Sequence, residues 1–189
     1  MKEGSISLAI FASGSGTNAE NIARHFDGHL QIKVSEILSN KADAYVLQRA
    51  KNLGIKSSVF GRIEFASPNF LDRLQNVDFI ILAGFLWLVP EFLIEAFPDK
   101  IINIHPALLP KYGGKGMYGS KVHKAVVAAK EKESGITIHL VNEEYDKGKI
   151  LFQGKCSVEE EETSETLADK IHALESEHFP RVIEEYILA

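Results

Sequence analysis

The sequence predicts an α/β chain built on an open, doubly wound sheet, and three observations carry that expectation. Segments of strand length, the apolar Ile6 to Ala12 and Val77 to Gly84 and the mixed Ile32 to Ser39, alternate with segments whose apolar residues recur at helical spacing, the order expected of parallel strands joined by crossover helices. The first strand runs directly into the glycine turn Ser13-Gly14-Ser15-Gly16 and a helical pattern, the usual opening of such a sheet. The 189 residues are 45% hydrophobic and 25% charged, which suffices for one sizeable core in one domain. The expected architecture is a single-domain, Rossmann-like open sheet spanning 1–189, mostly parallel with a late antiparallel strand and with helices on both faces.

Taken in order, Ile6 to Ala12 is a buried first strand between Gly4 and Ser13. The turn that follows, Ser13-Gly14-Ser15-Gly16-Thr17-Asn18, precedes a helix over Ala19 to Phe26. A strand, a glycine turn and a helix start make an anion site, because free backbone N–H groups and the helix dipole converge there. Gly14-x-Gly16-x-x-Ala19 fits a dinucleotide fingerprint, but the second strand ends in Ser39-Asn40-Lys41 with no acidic residue for a ribose, so a phosphate monoester fits better than a dinucleotide. A tight turn without ligand is the plain alternative. The second helix is expected to open at Ser39 to Ala44 and end at Gly54, with Asp43 in its first turn. Ser57 to Phe60 reads as an edge strand and Pro68 to Leu74 as a helix, followed by the buried strand with Asp78 at its entrance.

Ile101 to His105 reads as a short buried strand whose alternation sets Asn103 and His105 on one face, and Pro106 stops it. An amide and an imidazole are thus left at a carboxyl edge, where open parallel sheets bind ligands. Taken in isolation, an Asn-x-His reads first as a core histidine satisfied by an amide. Before it, Leu86-Trp87-Leu88-Val89 is an apolar loop holding the chain's only tryptophan, a core plug or a pocket for a flat heteroaromatic ligand. After it, 111–119 is glycine-rich and reads as a mobile loop. It is not a Walker loop, since Gly116 follows Lys115. Val122 to Lys130 is an amphipathic helix on which His123 reads as a surface residue. Gly135 to Val141 and Ile150 to Val158 are the last two strands, and the final helix is capped at Thr163 or Ser164 with Leu167, Ile171, Leu174 and His178 on one stripe. Glu175-x-x-His178 has the spacing of half a di-iron site, but a single copy gives no metal centre.

Asn103-Ile104-His105-Pro106-Ala107-Leu108-Leu109-Pro110 resembles the Asn-x-His-Pro-Ser/Ala-Leu-Leu-Pro signature of enzymes that transfer a formyl group from 10-formyltetrahydrofolate. Ala83 to Val89 is similar to the run lining the pterin pocket in that family, with Trp87 in place of the usual basic residue. Gly135, His139, Val141, Asp146 and Gly148 resemble its Gly-x-x-x-His-x-Val…Asp-x-Gly block, and the Ser39 to Asp43 run is characteristic of members acting on glycinamide ribonucleotide in purine synthesis.

The resemblance implies Asn103, His105 and Asp146 as catalytic residues, with His139 supporting them or serving structurally. It implies nucleotide binding by Gly16, Thr17, Asn18, His172 and Glu175. It implies folate binding by Leu86, Trp87, Leu88, Val89, Val141 and Glu143, and no metal. The N-terminal half would hold the nucleotide phosphate, and the C-terminal half the folate and the catalytic groups. In the implied mechanism Asn103 donates to a tetrahedral oxyanion, a charged His105 adds stabilisation, and Asp146 orients His105 and favours its charged form. A formyltransferase for another amine, a nucleotide-dependent oxidoreductase and a non-catalytic nucleotide-binding module are the alternatives. The first would release formyl to a different acceptor, the second would retain a nicotinamide, and the third would bind ligand without Asn103.

Composition bounds the partners. A formal charge of -5 and a pI near 5.8 give no reason to expect nucleic acid or an anionic membrane. One cysteine, Cys156, cannot close an internal disulfide, and no signal peptide or membrane-spanning run is recognisable. The chain is therefore expected to be cytoplasmic, to act on small molecules, and to work as a monomer or homodimer.

Overall fold

The computed structural model describes residues 4–189, so the reading of the chain's opening lies partly outside the described residues. The elements are β1 Ile6–Ala12, α1 Thr17–His25, β2 Ile32–Ser39, α2 Val46–Asn52, β3 Lys56–Val59, α3 Arg62–Phe65, a 3-10 helix Pro68–Leu74, β4 Phe79–Leu82, α4 Glu91–Ala96, β5 Ile101–His105, α5 Ser120–Ala128, β6 Glu133–Leu140, β7 Ile150–Ser157 and α6 Ser164–Leu188. One seven-stranded sheet has the order β3-β2-β1-β4-β5-β6-β7. Parallel pairing joins β1 to β2 and β4, and β2 to β3. β6 and β7 pair antiparallel, as the late antiparallel strand requires. The chain divides into two compact units, the first ending at Ile102 and the second comprising Asn103–Ala189.

In the first unit β1 is buried from Ser7 to Ala12, because a parallel strand with a partner on either side is covered on both faces. Phe11 anchors an aromatic cluster, meeting Phe70 edge-on at 6.1 Å and Phe85 at 5.5 Å, with Phe60 and Phe65 completing it. Burying each such side chain contributes about 1.5–3 kcal/mol. β4 begins where Asp78 accepts the Ser7 N–H at 2.9 Å. One sequence expectation changes here. The Ser39 to Asp43 run is loop rather than helix, since Ser39 belongs to β2 and α2 starts only at Val46 with no acidic residue in its first turn; Asp43 therefore caps no dipole. Pro68 to Leu74 is the expected helix, of 3-10 type, and it is preceded by a four-residue α3 that was not expected because it is too short to show a helical period.

In the second unit β6 is buried from Ser134 to Leu140. Gly135 lies so close to β7 that a Cβ there would strike the Gly154 carbonyl. α6 is closed at its start by reciprocal bonds: Thr163 Oγ1 accepts from the Thr166 N–H at 3.2 Å, and Thr166 Oγ1 from the Thr163 N–H at 3.1 Å. Its buried stripe is Leu167, Ile171, Glu175, Phe179 and Ile183. The expected stripe departs from this at Leu174 and His178, which are only half-buried; the helix instead turns the acidic Glu175 inward.

Candidate active site

β5 delivers Asn103 and His105 from alternate positions, and their partners come from β6 and the two flanking loops. Asn103 donates its amide N–H to Nε2 of His139 at 3.0 Å. His139 donates Nδ1–H to the Leu140 carbonyl at 2.7 Å, which assigns the Nδ1–H tautomer and leaves Nε2 as the acceptor Asn103 needs. One N–H of the Asn103 amide is used in this way. The second remains to donate elsewhere.

His105 is 4% exposed. Its Nε2–H donates to the Tyr112 carbonyl at 2.8 Å, and its Nδ1 lies 3.5 Å from Oδ2 of Asp146. Both ring nitrogens thus face acceptors, an arrangement suited to the doubly protonated ring. Burial nevertheless dominates: it pushes the His105 pKa below the usual imidazole value, against the opposing pull of Asp146 and the Tyr112 carbonyl. The charge of Asp146 acts in the opposite direction to burial and favours the protonated ring.

Asp146 sits in the loop after β6 with a left-handed φ of 57°. Burial works against ionising its carboxyl, yet the charge His105 carries when protonated and the Gly114 N–H hold it below the usual carboxylate range. The Gly114 N–H donates to Oδ2 at 2.8 Å, and Oδ1 lies 3.6 Å from His139 Nε2. The carboxylate is thereby fixed between the two imidazoles.

Several residues the sequence did not single out hold this centre. Thr137 Oγ1 donates to the Ala107 carbonyl at 2.7 Å and accepts the Leu109 N–H at 3.0 Å, while Gln153 Nε2 donates to Thr137 Oγ1 at 2.9 Å and to the Leu109 carbonyl at 3.0 Å. These bonds lock the turn that follows His105. Thr137 stands two residues before His139, hence on the same strand face, and that spacing was the available signal. The glycine-rich loop is tied down as well: Tyr112 Oη donates to Glu131 at 2.9 Å, and Gly113 packs so tightly that a Cβ would strike Leu109 and lie 3.2 Å from Asp146 Cβ. His123, expected at the surface, is 4% exposed, with Nδ1 buried and unpartnered. Burial, His172 and His105 lower its pKa. The amphipathic pattern of this helix could not show that α5 turns His123 inward together with Val122 and Val126.

In the first unit the carbonyls of Gly14, Ser15 and Gly16 accept, respectively, from the Val46 N–H at 3.1 Å, Arg49 Nε at 2.8 Å and the Glu20 N–H at 2.9 Å. In a trans peptide the N–H points opposite to the C=O, so the N–H groups of Ser15, Gly16 and Thr17 are turned the other way at the start of α1. Arg49 also bonds Glu20 on α1. Gly16 has φ 78°, and a Cβ there would strike Val46, so only glycine fits. Thr17 is exposed and Asn18 half-buried. The Leu86 N–H donates to Ser13 Oγ at 3.1 Å, tying the apolar loop to the glycine turn. In that loop Val89 is buried, Trp87 half-buried, and Leu86 and Leu88 exposed. In the second unit Val141 is half-buried and Glu143 exposed after β6; on α6 His172 is exposed and Glu175 buried.

The sequence pattern of the family described as formyl transferase matches residues 6–183. The chain belongs to the formyl transferase family. Among relatives of this formyl transferase is the chloroplastic phosphoribosylglycinamide formyltransferase of Arabidopsis thaliana, 44% identical over 90% of this chain and 61% of its own length. Another is the phosphoribosylglycinamide formyltransferase of Haemophilus influenzae, 38% identical over 93% of this chain and 84% of its own. The chain thus spans about three-fifths of the length of the chloroplastic relatives it matches. The crystal structure of phosphoribosylglycinamide formyltransferase from Bacillus halodurans superposes with a TM-score of 0.86 at 35% identity, covering 96% of this chain and 95% of that one. The formyl transferase family uses a folate-derived donor. No helix among the described residues is long and apolar enough to cross a membrane.

Proposed function

We propose that this formyl transferase moves the formyl group of 10-formyltetrahydrofolate to the amine of glycinamide ribonucleotide, as an enzyme of de novo purine synthesis whose whole chain serves as one formyltransferase domain. The reading rests chiefly on one observation: an amide N–H donor, Asn103, and a histidine whose two nitrogens both face acceptors, His105, stand two residues apart on one strand. Such a centre can stabilise an oxyanion and take up a proton in the same step.

Attack of the amine on the formyl carbon creates a tetrahedral oxyanion and a cationic nitrogen. Asn103 donates its second N–H to the oxyanion. His105, neutral at rest, accepts the amine's proton at Nδ1, directly or through water, and Asp146 stabilises the imidazolium that results. That cation then supports the oxyanion and returns its proton to the departing folate nitrogen, leaving the enzyme unchanged. His139 holds the amide of Asn103 in register.

The glycine turn at Gly16, Thr17 and Asn18 takes the nucleotide phosphate, and His172 and Glu175 its amino and ribose end. Leu86, Trp87, Leu88, Val89, Val141 and Glu143 take the folate. Partners are small molecules only, and the single free Cys156 suits a reducing compartment such as the cytoplasm. The test is to mix protein, glycinamide ribonucleotide and 10-formyltetrahydrofolate and follow the absorbance of the deformylated folate. Release that requires the nucleotide and is lost in His105→Ala supports the reading; release without the nucleotide points to hydrolysis or another acceptor.

A further inference from the structure

We propose that Arg62, stacked on Trp87, is a specificity-determining residue that binds the carboxylates at the glutamate end of the formyl donor. The inference rests on the folate reading above and deepens it.

The chain has five arginines, and four of them face carboxylates. Arg24 bonds Glu20 at 2.7 Å, Arg49 also bonds Glu20, Arg73 bonds Glu64 at 2.5 Å, and Arg181 lies 3.7 Å from Glu185. Arg62 has no such partner among the described residues. The acid closest to it in sequence, Glu64, is held by Arg73, which also donates to Ser58 Oγ at 2.6 Å. Arg62 is exposed, and its guanidinium carbon lies 4.5 Å from the centroid of the Trp87 ring.

A guanidinium laid on a ring uses its face for the contact and keeps its N–H donors in plane, directed outward as a fork that matches a carboxylate. The platform beneath it is fixed, because the Trp87 ring packs against Phe60, Phe65 and Phe85 at 6.0, 5.8 and 6.1 Å. Leu86 and Leu88, on either side of Trp87, are exposed at 37% and 44%. A free cationic fork beside an apolar aromatic ledge suits a ligand that is flat and uncharged at one end and anionic at the other. 10-Formyltetrahydrofolate has that build: a pteridine and an aminobenzoyl ring followed by glutamate carboxylates. Where the resembling run carries a basic residue, this chain has Trp87; the cation comes instead from position 62, held in place by the indole.

The test compares donors with one glutamate, three glutamates and none, the last being 10-formyltetrahydropteroate. For Arg62→Ala the KM of the glutamated donors should rise roughly 5- to 10-fold, the range for losing a partly exposed charge-assisted contact, while the KM of the pteroate donor changes less than about twofold. Arg62→Lys should fall between the two, because an ammonium lacks the planar fork. The double variant Arg62→Ala with Trp87→Arg should recover most of the loss. A rise of the same size for the pteroate donor, or no rise for any donor, overturns the proposal. Trp87 is the only tryptophan, so quenching of its fluorescence by each donor reports binding without turnover. Absent transfer together with tail-dependent quenching that Arg62→Ala removes would sink the proposed reaction and keep the Arg62 site; absent transfer with quenching unaltered by the tail or by Arg62→Ala would sink both.

Discussion

Asn103 donates to Nε2 of His139 over 3.0 Å, and His139 in turn donates Nδ1–H to the Leu140 carbonyl over 2.7 Å. The backbone of β6 thereby sets the tautomer of His139, the tautomer makes Nε2 an acceptor, and the acceptor orients the amide of Asn103. Asn103→Ala should lower turnover on the order of 100-fold, the usual cost of one oxyanion donor. His139→Ala should cost less, roughly tenfold, because it frees the amide without removing it. In a double-mutant cycle the two losses should not add; full additivity of the kcat effects would separate His139 from Asn103.

The pH dependence follows from His105. Burial lowers its pKa from 6.5, so a neutral proton acceptor persists at neutral pH and kcat/KM should fall only on an acid limb below that value. Asp146 raises the His105 pKa, so Asp146→Asn should shift the limb to still lower pH while reducing turnover. A pH–rate profile of both proteins checks this, and a limb that moves upward in Asp146→Asn would contradict it.

Stability shows the same sign. Below about 6.5 the unfolded chain binds a proton at His105 that the folded chain resists. Stability should therefore decline as pH falls from 6.5 toward the lower folded value, and His123, also lowered by burial, adds to the slope. Asp146, whose pKa is lowered from 3.8, contributes stability that is lost only in stronger acid. Urea midpoints between pH 5 and 7 should vary less with pH in His105→Gln than in the parent protein.

β1 was legible because burial on both faces produced a continuous apolar run, while β2 and β5 were bounded instead by what flanks them, Ser39-Asn40 and Pro106, and all three end where Ala12, Ser39 and His105 suggested. α2 was misplaced because Ser39 to Asp43 carries capping residue types, yet the first helical turn is set by the Val46 N–H bonding Gly14, a tertiary contact that no local pattern displays. The centre was legible as residue types at a strand end. Its protonation was not: the net direction at His105 comes from burial by residues distant in sequence, and the bond from Tyr112 is a backbone carbonyl, which any residue type could supply. His123 illustrates the same limit, since an imidazole reads alike on either face of a helix until its neighbours are known.

The glycine turn can be tested at Gly16. Alanine there would occupy a left-handed backbone at φ 78° and strike Val46. Gly16→Ala should destabilise the protein by about 2 kcal/mol or more, seen as a lower urea midpoint. In the fraction that folds, the KM for the nucleotide should rise more than the KM for the folate, because the displaced N–H groups are those proposed to hold the phosphate.

Gly113 offers a test that separates position from stability. A Cβ on it would press on Leu109 and approach Asp146 Cβ to 3.2 Å, while the neighbouring Gly114 N–H anchors Oδ2 of the same carboxylate. Leu109 is itself held by Thr137 and Gln153, so it yields little and the displacement falls on Asp146 and the loop. Gly113→Ala should lower kcat roughly ten- to a hundredfold, the range for a catalytic group misplaced by less than an ångström or so. Its melting temperature should move only slightly, because the strain is taken up by a surface loop rather than by a strand. Lys115→Ala, an exposed change in the same loop, should leave kcat near the parent value. Equal kcat in Gly113→Ala and the parent would mean that the spacing between the loop and Asp146 does not govern the chemistry.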